Sequence, residues 1–114
     1  IGYVGMTEEE ARDEYGDVKV GKYLYRPLGR AQAGGQLDGL FKVIAKEDDH
    51  RIVGVHIFGH EATDLVAEGT LAVQKGMTLE DVHHTVHTHP TFSEGLHEAC
   101  GAALGSGIHS LPEK

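Results

Sequence analysis

The chain has 114 residues, of which 39% are hydrophobic, none is tryptophan and one, Cys100, is cysteine. This length fits one domain with a modest aliphatic core, and the one cysteine cannot form an internal disulfide, which predicts a reducing, cytoplasmic location. The formal net charge of −8 and the lack of a Lys/Arg cluster argue against nucleic-acid binding, and no apolar run approaches the ~20 residues that a membrane helix needs.

The N-terminal part of the chain predicts a strand, a helix and a second strand. Residues 1–5 have the composition of a short strand. The sequence TEEE at positions 7–10 matches a capping box, with acidic side chains where the helix dipole favours them, and predicts a helix that runs to about Tyr15. Residues 18–25 alternate apolar and basic side chains, which predicts a half-buried strand with a slip at Gly21.

The middle of the chain predicts a hairpin followed by a helix. Residues 27–39 are rich in glycine and mixed in polarity, and they predict a short helix or a turn. Residues 39–46 and 51–59 read as two apolar strands joined by a polar loop of hairpin length. Over residues 61–75 the apolar side chains recur at helical spacing, which predicts an amphipathic helix.

The helices in the second half of the chain complete the predicted fold. Gly69 lies on the apolar face of the helix predicted for residues 61–75. Because glycine within a helix costs roughly 1 kcal/mol of stability relative to alanine, its presence there predicts the close approach of another backbone. Thr78 caps a short helix to about Val86, and a final helix runs from Phe92 to about Leu104. This order of elements predicts an α+β domain, with helices packed on an antiparallel sheet.

The segment 87–94, with the sequence HTHPTFSE, carries the clearest chemical signal. Its last four residues fit a capping box, with Thr91 as the N-cap and Glu94 as the N3 residue. His89, in the X-Pro turn before the helix, then lies within reach of Glu94. A carboxylate that accepts an imidazole N–H fixes the tautomer and raises the basicity of the ring, which is the basic unit of a general base. A helix cap without catalysis is the alternative role for Glu94.

Metal and thiol chemistry are the competing interpretations. His83 and His87 have the i,i+4 spacing of zinc ligands on a helix, and His89 follows closely. However, the chain contains no Cys-x-x-Cys pair and no His-Glu-x-x-His sequence, so we predict no metal site and expect His83, His84 and His97 to face solvent or an interface. Cys100 lies on the apolar side of the final helix, which predicts a small buried hydrophobe.

The dyad of His89 and Glu94 has no nucleophile, redox centre or cofactor fingerprint beside it in this chain. Either Glu94 is only a cap, or the partner chemistry belongs to additional N-terminal sequence or to another subunit. The start of the chain at Ile1, inside a predicted strand and without Met, leads us to expect that residues 1–114 are one domain of a longer polypeptide.

Several segments resemble the C-terminal interface (dimerisation) domain of the pyridine nucleotide-disulfide oxidoreductases. HTHPTFSE at 87–94 is similar to the specific H-x-H-P-T-x-S-E signature of that family. Supporting similarity comes from IGYVGMTEEEA at 1–11, GRA at 29–31, GLFKVI at 39–44 and IVGVHIFG at 52–59. Within the family, the form of the signature favours dihydrolipoamide dehydrogenase, and the C-terminal residues lack the cysteine pair of mercuric reductases.

The resemblance implies a role in a longer flavoprotein for residues 1–114, as its C-terminal dimerisation domain. His89 would be the acid/base that takes a proton from a dihydrolipoyl-type dithiol, and Glu94 would orient it; the main chain of His89, before a cis Pro90, would contact the flavin. The parent would be a homodimeric oxidoreductase with FAD and NAD domains, passing electrons through a disulfide and FAD to NAD. We expect no cofactor on this domain alone and no catalysis by it alone.

Two other functions stay open from the residues themselves. The chain could be a stand-alone homodimerisation module that pairs through the helices at 61–75 and 92–104, with the dyad reduced to a cap. It could also bind zinc through His83, His87 and His89.

Overall fold

The computed structural model describes residues 1–25, 39–59, 61–85 and 93–105. The strands of these ranges are β1 (Gly2–Gly5), β2 (Val18–Leu24), β3 (Gly39–Lys46) and β4 (Ile52–Gly59), and the helices are α1 (Glu8–Tyr15), α2 (Ala62–Gln74), α3 (Leu79–His83) and α4 (Glu94–Leu104). The short helix or turn predicted for residues 27–39 lies outside the described residues, except for Gly39, which is the first residue of β3. Within the described ranges, no helix has the length and apolar character of a bilayer span.

The four strands form one antiparallel sheet in the order β1-β4-β3-β2. Strands β3 and β4 form the predicted hairpin. Opposite Ile44 and Ala45 the partners are Gly54 and Ile52, so Val53 is the extra residue of a β-bulge. The sheet and its packed helices confirm the predicted α+β class.

One face of the sheet, called the inner face here, is covered by α2 and α4. Helix α4 lies on β2 and β3, α2 lies on β1 and β4, and α3 packs against α4. The inner cluster of buried side chains is aliphatic and aromatic, as the composition predicts, and includes Tyr23, Tyr25, Phe41, Val43, Val55, Ile57, Leu79, Leu96 and Cys100. This packing is what places the first turn of α4 above the sheet.

The opposite, outer face is covered in part by α1. Ala11 of α1 belongs to a second buried cluster with Val18, Val20, Ile44 and Val53, and the bulge turns Val53 toward this cluster. Buried side chains therefore lie on both sides of the sheet.

The predicted slip at Gly21 is wrong, because β2 pairs with β3 in continuous register from Val18 to Leu24. The apolar pattern changes because Val20 faces α1 whereas Tyr23 faces the inner cluster. Gly21 lies on the inner side, where a Cβ would overlap the carbonyl oxygen of Ala99 in α4.

The predicted helix caps at Thr7 and Thr78 are confirmed. The side chain of Thr7 accepts from the backbone N–H of Glu10 at 3.1 Å, and the carboxylate of Glu10 accepts from the backbone N–H of Thr7 at 2.9 Å. Thr78 and Asp81 form the same reciprocal pair at 3.2 and 2.9 Å. Helix α3 ends at His83, earlier than the predicted end near Val86, because the chain leaves the helix at the turn of 84–85.

Gly69 makes the close approach that its position predicts, but to a side chain and not to a backbone. A Cβ on Gly69 would lie 2.8 Å from Cγ1 of Val55 on β4. The glycine thus lets α2 approach its own sheet, and it gives no support to an interface with another chain.

Candidate active site

Glu94 is the described residue of the predicted dyad, and it lies half-buried at the start of α4. The helix begins at Glu94 itself, so Glu94 is its first residue and not the predicted N3 residue. Ser93, in the N-cap position, already has helical dihedral angles (φ −64°, ψ −19°). Thr91, the predicted N-cap, lies outside the described residues. A carboxylate in the first turn is favoured by the helix dipole.

The residue after Glu94 holds the start of the helix against the sheet. A Cβ on Gly95 would overlap the ring of Phe41, so only glycine allows this approach. The Phe41 ring stacks on Tyr25, with centroids 5.0 Å apart and an interplanar angle of 25°. Both rings are fully buried. The backbone position of Glu94 is therefore set by a close-packed apolar contact one residue away.

The buried tyrosines beneath α4 have pKa values that are raised by their surroundings. Burial, together with smaller contributions from the negative charges of Glu98 and Glu94, raises the pKa of Tyr23 to about 12. Burial also raises the pKa of Tyr25 to about 12, with a contribution from Glu61. Carboxylates of α4 therefore lie close to a core tyrosine whose phenol stays neutral at pH 7.

His89 and Pro90 lie outside the described residues, so the dyad of His89 and Glu94 stays a prediction. The same holds for His87, the second half of the i,i+4 pair. The structure places Glu94 at the start of α4, and in the sequence only Ser93 separates it from the segment 86–92.

Two of the other histidines pack together where α3 meets α4. The rings of His83 and His97 are stacked with centroids 4.7 Å apart, and Nδ1 of His83 lies 3.3 Å from the carbonyl oxygen of His97. His84 is exposed beside them, with a centroid separation of 5.5 Å from His83. In the described part of the chain, no group of three His, Cys, Asp or Glu side chains could hold a metal ion. His83 and His97, half-buried, contact each other between helices.

A second histidine–carboxylate pair escaped the sequence analysis. Nδ1 of His50, at the end of the β3–β4 loop, lies 2.7 Å from Oε2 of Glu80 in α3. Because a carboxylate only accepts, Nδ1 carries the hydrogen. This hydrogen bond lowers the pKa of Glu80. His50 has a left-handed φ of 65°, and its carbonyl oxygen accepts from the backbone N–H of Leu79. No local spacing signals this pair, since its members are 30 residues apart.

Cys100 is fully buried in α4, as predicted, and packs in the inner cluster. Burial raises the pKa of its thiol, and the charge of Glu68 adds to that effect. A thiol held neutral is a poor nucleophile.

Comparison with known proteins assigns the fold and the signature to one family. Residues 1–100 match the family described as pyridine nucleotide-disulphide oxidoreductase, dimerisation domain. The chain belongs to this family.

Relatives of the dimerisation domain carry one recurrent name. Proteins named dihydrolipoyl dehydrogenase are 46% identical over 97% of the chain in Halobacterium salinarum and 45% identical over 95% in Thermus scotoductus. The chain spans only 23% of the length of each.

Solved structures show the same fold. The flavoprotein disulfide reductase RclA of Escherichia coli superimposes with a TM-score of 0.81 at 24% identity, over 87% of this chain and 23% of that one. LpdA of Mycobacterium tuberculosis gives 0.78 at 20% identity, over 86% and 21%. At these identities the likeness concerns the fold, and it agrees with the predicted dimerisation-domain architecture.

Proposed function

We propose that residues 1–114 are the C-terminal dimerisation domain of a longer dihydrolipoyl dehydrogenase, in which His89 and Glu94 form the acid/base dyad for dithiol oxidation. The observation that carries this proposal is the 46% identity over 97% of the chain to a protein of that name. The 23% share of that relative's length supports a parent with further domains. Catalysis belongs to the parent and not to this domain alone.

The chemistry of this chain in the proposed reaction is the movement of one proton. His89 takes the proton of a dihydrolipoyl-type thiol and leaves a thiolate, the reactive form of sulfur. Glu94 accepts the other imidazole N–H, which fixes the tautomer and favours the protonated ring. The placement of Glu94 at a packed helix start supports this role, because the contact of Gly95 with Phe41 limits movement of the backbone.

The cofactors of the proposed parent are FAD and NAD, held mainly by its other domains. FAD supplies the electron acceptor when it is bound. The residues that the family resemblance assigns to the flavin ring, His89 and Pro90, lie outside the described residues, so the fit of this chain to the flavin rests on the sequence signature. No step beyond the proton transfer is assigned to this chain.

The first test is the intact mass and visible absorption spectrum of the natural gene product. The proposal expects a yellow protein about four times heavier than 12.3 kDa, since the chain spans 23% of its relatives. A colourless product of 12.3 kDa would contradict it and leave a stand-alone module.

The second test replaces His89 in that parent. Loss of a general acid/base lowers turnover by about 10²–10⁴-fold, so His89→Gln should reduce dithiol oxidation by that factor while flavin content is retained. The matched control is His84→Gln, the same change at an exposed histidine on the end of α3, which should leave turnover unchanged. Full activity of His89→Gln would refute the dyad.

The proposed partner in the assembly is a second copy of the parent. Leu71, on the side of α2 away from the sheet, is 50% exposed although it is large and apolar. We expect it to lie in the dimer interface, where an introduced charge would be desolvated. Leu71→Asp should weaken dimerisation by at least about 30-fold in Kd, measured by sedimentation equilibrium, whereas Leu71→Met should not. Equal Kd values for both variants would exclude this face of α2.

A further inference from the structure

The outer face of the sheet carries two rows of side chains that follow the strand register. The first, called the cationic row after its two lysines, runs across all four strands through Tyr3, His56, Lys42 and Lys22, each opposite the next. The second, called the apolar row, consists of Phe58, Leu40 and Leu24, which are likewise opposite one another. Because neighbours in register share a face, both rows lie on the side that carries α1.

Helix α1 covers the part of this face beyond the two rows. Its buried contacts are with Val20 and Ile44, the next positions of this face along the strands, and its first residue, Glu8, reaches Lys42 of the cationic row. Tyr3 remains 68% exposed and Phe58 39% exposed, and Lys22 is exposed as well. Aromatic and aliphatic side chains that lie side by side at a surface mark an interaction site more often than isolated ones do.

The charges of the cationic row are unbalanced. Lys22 and Lys42 lie directly opposite each other, and like charges in that position are destabilising. Nζ of Lys42 lies 2.9 Å from Glu8, but the same carboxylate also contacts Arg12 at 2.8 Å. Among the residues that the structure describes, no carboxylate lies within 4.0 Å of Nζ of Lys22. In a chain of net charge −8, Lys22 thus has no acidic partner among the described residues, and Lys42 shares its own with Arg12.

Helix α1 shows what kind of segment fits this face. It is an acidic amphipathic helix that places Glu8 on Lys42 and buries Ala11 against the sheet. Beside its first turn is a cavity of about 140 Å³ lined by Thr7, Glu8, Lys42, His56 and Phe58. A pocket of this kind at the edge of an apolar surface can receive an anchoring side chain.

We propose that the cationic and apolar rows are covered in the parent by an acidic, amphipathic segment of the same polypeptide from outside these 114 residues. The inference rests on the proposed function, because relatives of which this chain spans 23% have more than three quarters of their sequence elsewhere. A carboxylate of that segment pairs with Lys22, and its apolar side chains cover Phe58, Leu40 and Leu24. A segment joined covalently to the domain meets this face at high effective concentration.

The charge part of the proposal is tested in the full-length protein by comparing the Tm of two variants, Lys22→Glu and Lys22→Gln. If the face were open, Lys22→Glu would remove a repulsion, pair with Lys42 and raise Tm above that of Lys22→Gln. If an acidic segment covers the face, Lys22→Glu opposes it and lowers Tm by about 2 °C relative to Lys22→Gln. An equal or higher Tm for Lys22→Glu overturns the proposal.

Cross-linking identifies the occupant directly. In the full-length protein, Phe58 is replaced by the photoreactive amino acid p-benzoylphenylalanine, and the products are mapped by mass spectrometry. The control places the same residue at Glu14, an exposed position of α1. The expected result is a cross-link from position 58, and none from position 14, to an acidic peptide outside residues 1–114 within one subunit.

Every other result at position 58 overturns the inference. A cross-link within residues 1–114, to a second subunit or to a different protein would name another occupant, and the absence of any cross-link would mean that the face is open. A gene product without further sequence would refute the proposed function itself, and its intact mass reveals this before any cross-linking.

Discussion

Helices α3 and α4 each have a glutamate in the first turn, and the two helices hold that turn in different ways. Glu80 of α3 lies in a polar network, where His50 contacts its carboxylate and Thr78 and Asp81 cap the helix. Glu94 of α4 is positioned by packing, through the contact of Gly95 with Phe41. In the first arrangement the carboxylate itself is an anchor, whereas in the second an apolar contact of the next residue fixes the backbone. The second arrangement suits the proposed role of Glu94, whose carboxylate must orient the imidazole of His89.

Replacement of the two glutamates in the parent should separate their roles most clearly. Glu94→Gln keeps the size of the side chain but weakens its hold on the His89 imidazole, and loss of such an orienting carboxylate lowers activity by about 10–100-fold. Glu80→Gln should leave dithiol oxidation unchanged, because its partner is His50.

The matched control for that comparison is Glu98→Gln, one turn later on α4 and also half-buried. It removes a similar charge near Tyr23 without removing the proposed contact to His89. If Glu98→Gln lowered turnover as much as Glu94→Gln, a general loss of negative charge would explain the effect better than the dyad.

The packing anchor of α4 is tested by the smallest enlargement of Gly95. Gly95→Ala introduces a methyl group where the Phe41 ring lies, and overpacking of this kind costs about 1–3 kcal/mol in the free energy of unfolding. Urea denaturation at neutral pH measures the change.

A second substitution shows whether the clash is the cause. In the double variant Gly95→Ala/Phe41→Leu, the smaller side chain gives room for the methyl group, so the two effects should be less than additive. Strict additivity would contradict the contact between Gly95 and Phe41 that the structure shows.

The polar anchor of α3 should show the smallest effect and depend on pH. The pKa of Glu80 is lowered in the folded state, chiefly by the hydrogen bond from His50. Its stabilisation is therefore present above the unfolded value near 4.5 and is lost as pH falls through the folded pKa. Because the Glu80 side chain is 43% exposed, solvent screening limits the effect to about 0.5 kcal/mol.

The measurement is the difference in unfolding free energy between the wild type and Glu80→Gln from pH 3 to 7. The difference should be greatest toward neutral pH and vanish at the acid end. A difference that grew as the pH fell would reverse the sign and contradict the assignment.

Local features of this fold could be predicted from the sequence because their contacts join near neighbours. The capping boxes at Thr7 and Thr78 each close within three residues, and the β3–β4 hairpin follows from two apolar runs and a polar loop. The sequence signature likewise led to Glu94, and the family match confirmed the dimerisation-domain fold.

Other features depend on which elements meet in space, and the sequence does not state that. The changed pattern at Gly21 could mean a slip or a strand buried on both sides, and only the positions of α1 and α4 distinguish these. The contact of Gly69 with a side chain of β4 has the same origin. The pair of His50 and Glu80 requires the left-handed turn at His50 and the placement of α3 beside it.

Because Cys100 is buried, the folded domain does not react with thiol reagents. The only cysteine of the chain is fully buried in α4, and its raised pKa keeps the sulfur protonated at neutral pH. An alkylation count on the native parent would therefore contain no sulfur from residues 1–114, and every modified cysteine would belong to the remaining sequence. Oxidative stress should spare this position until the domain unfolds, so oxidation of Cys100 would serve as a chemical record of unfolding.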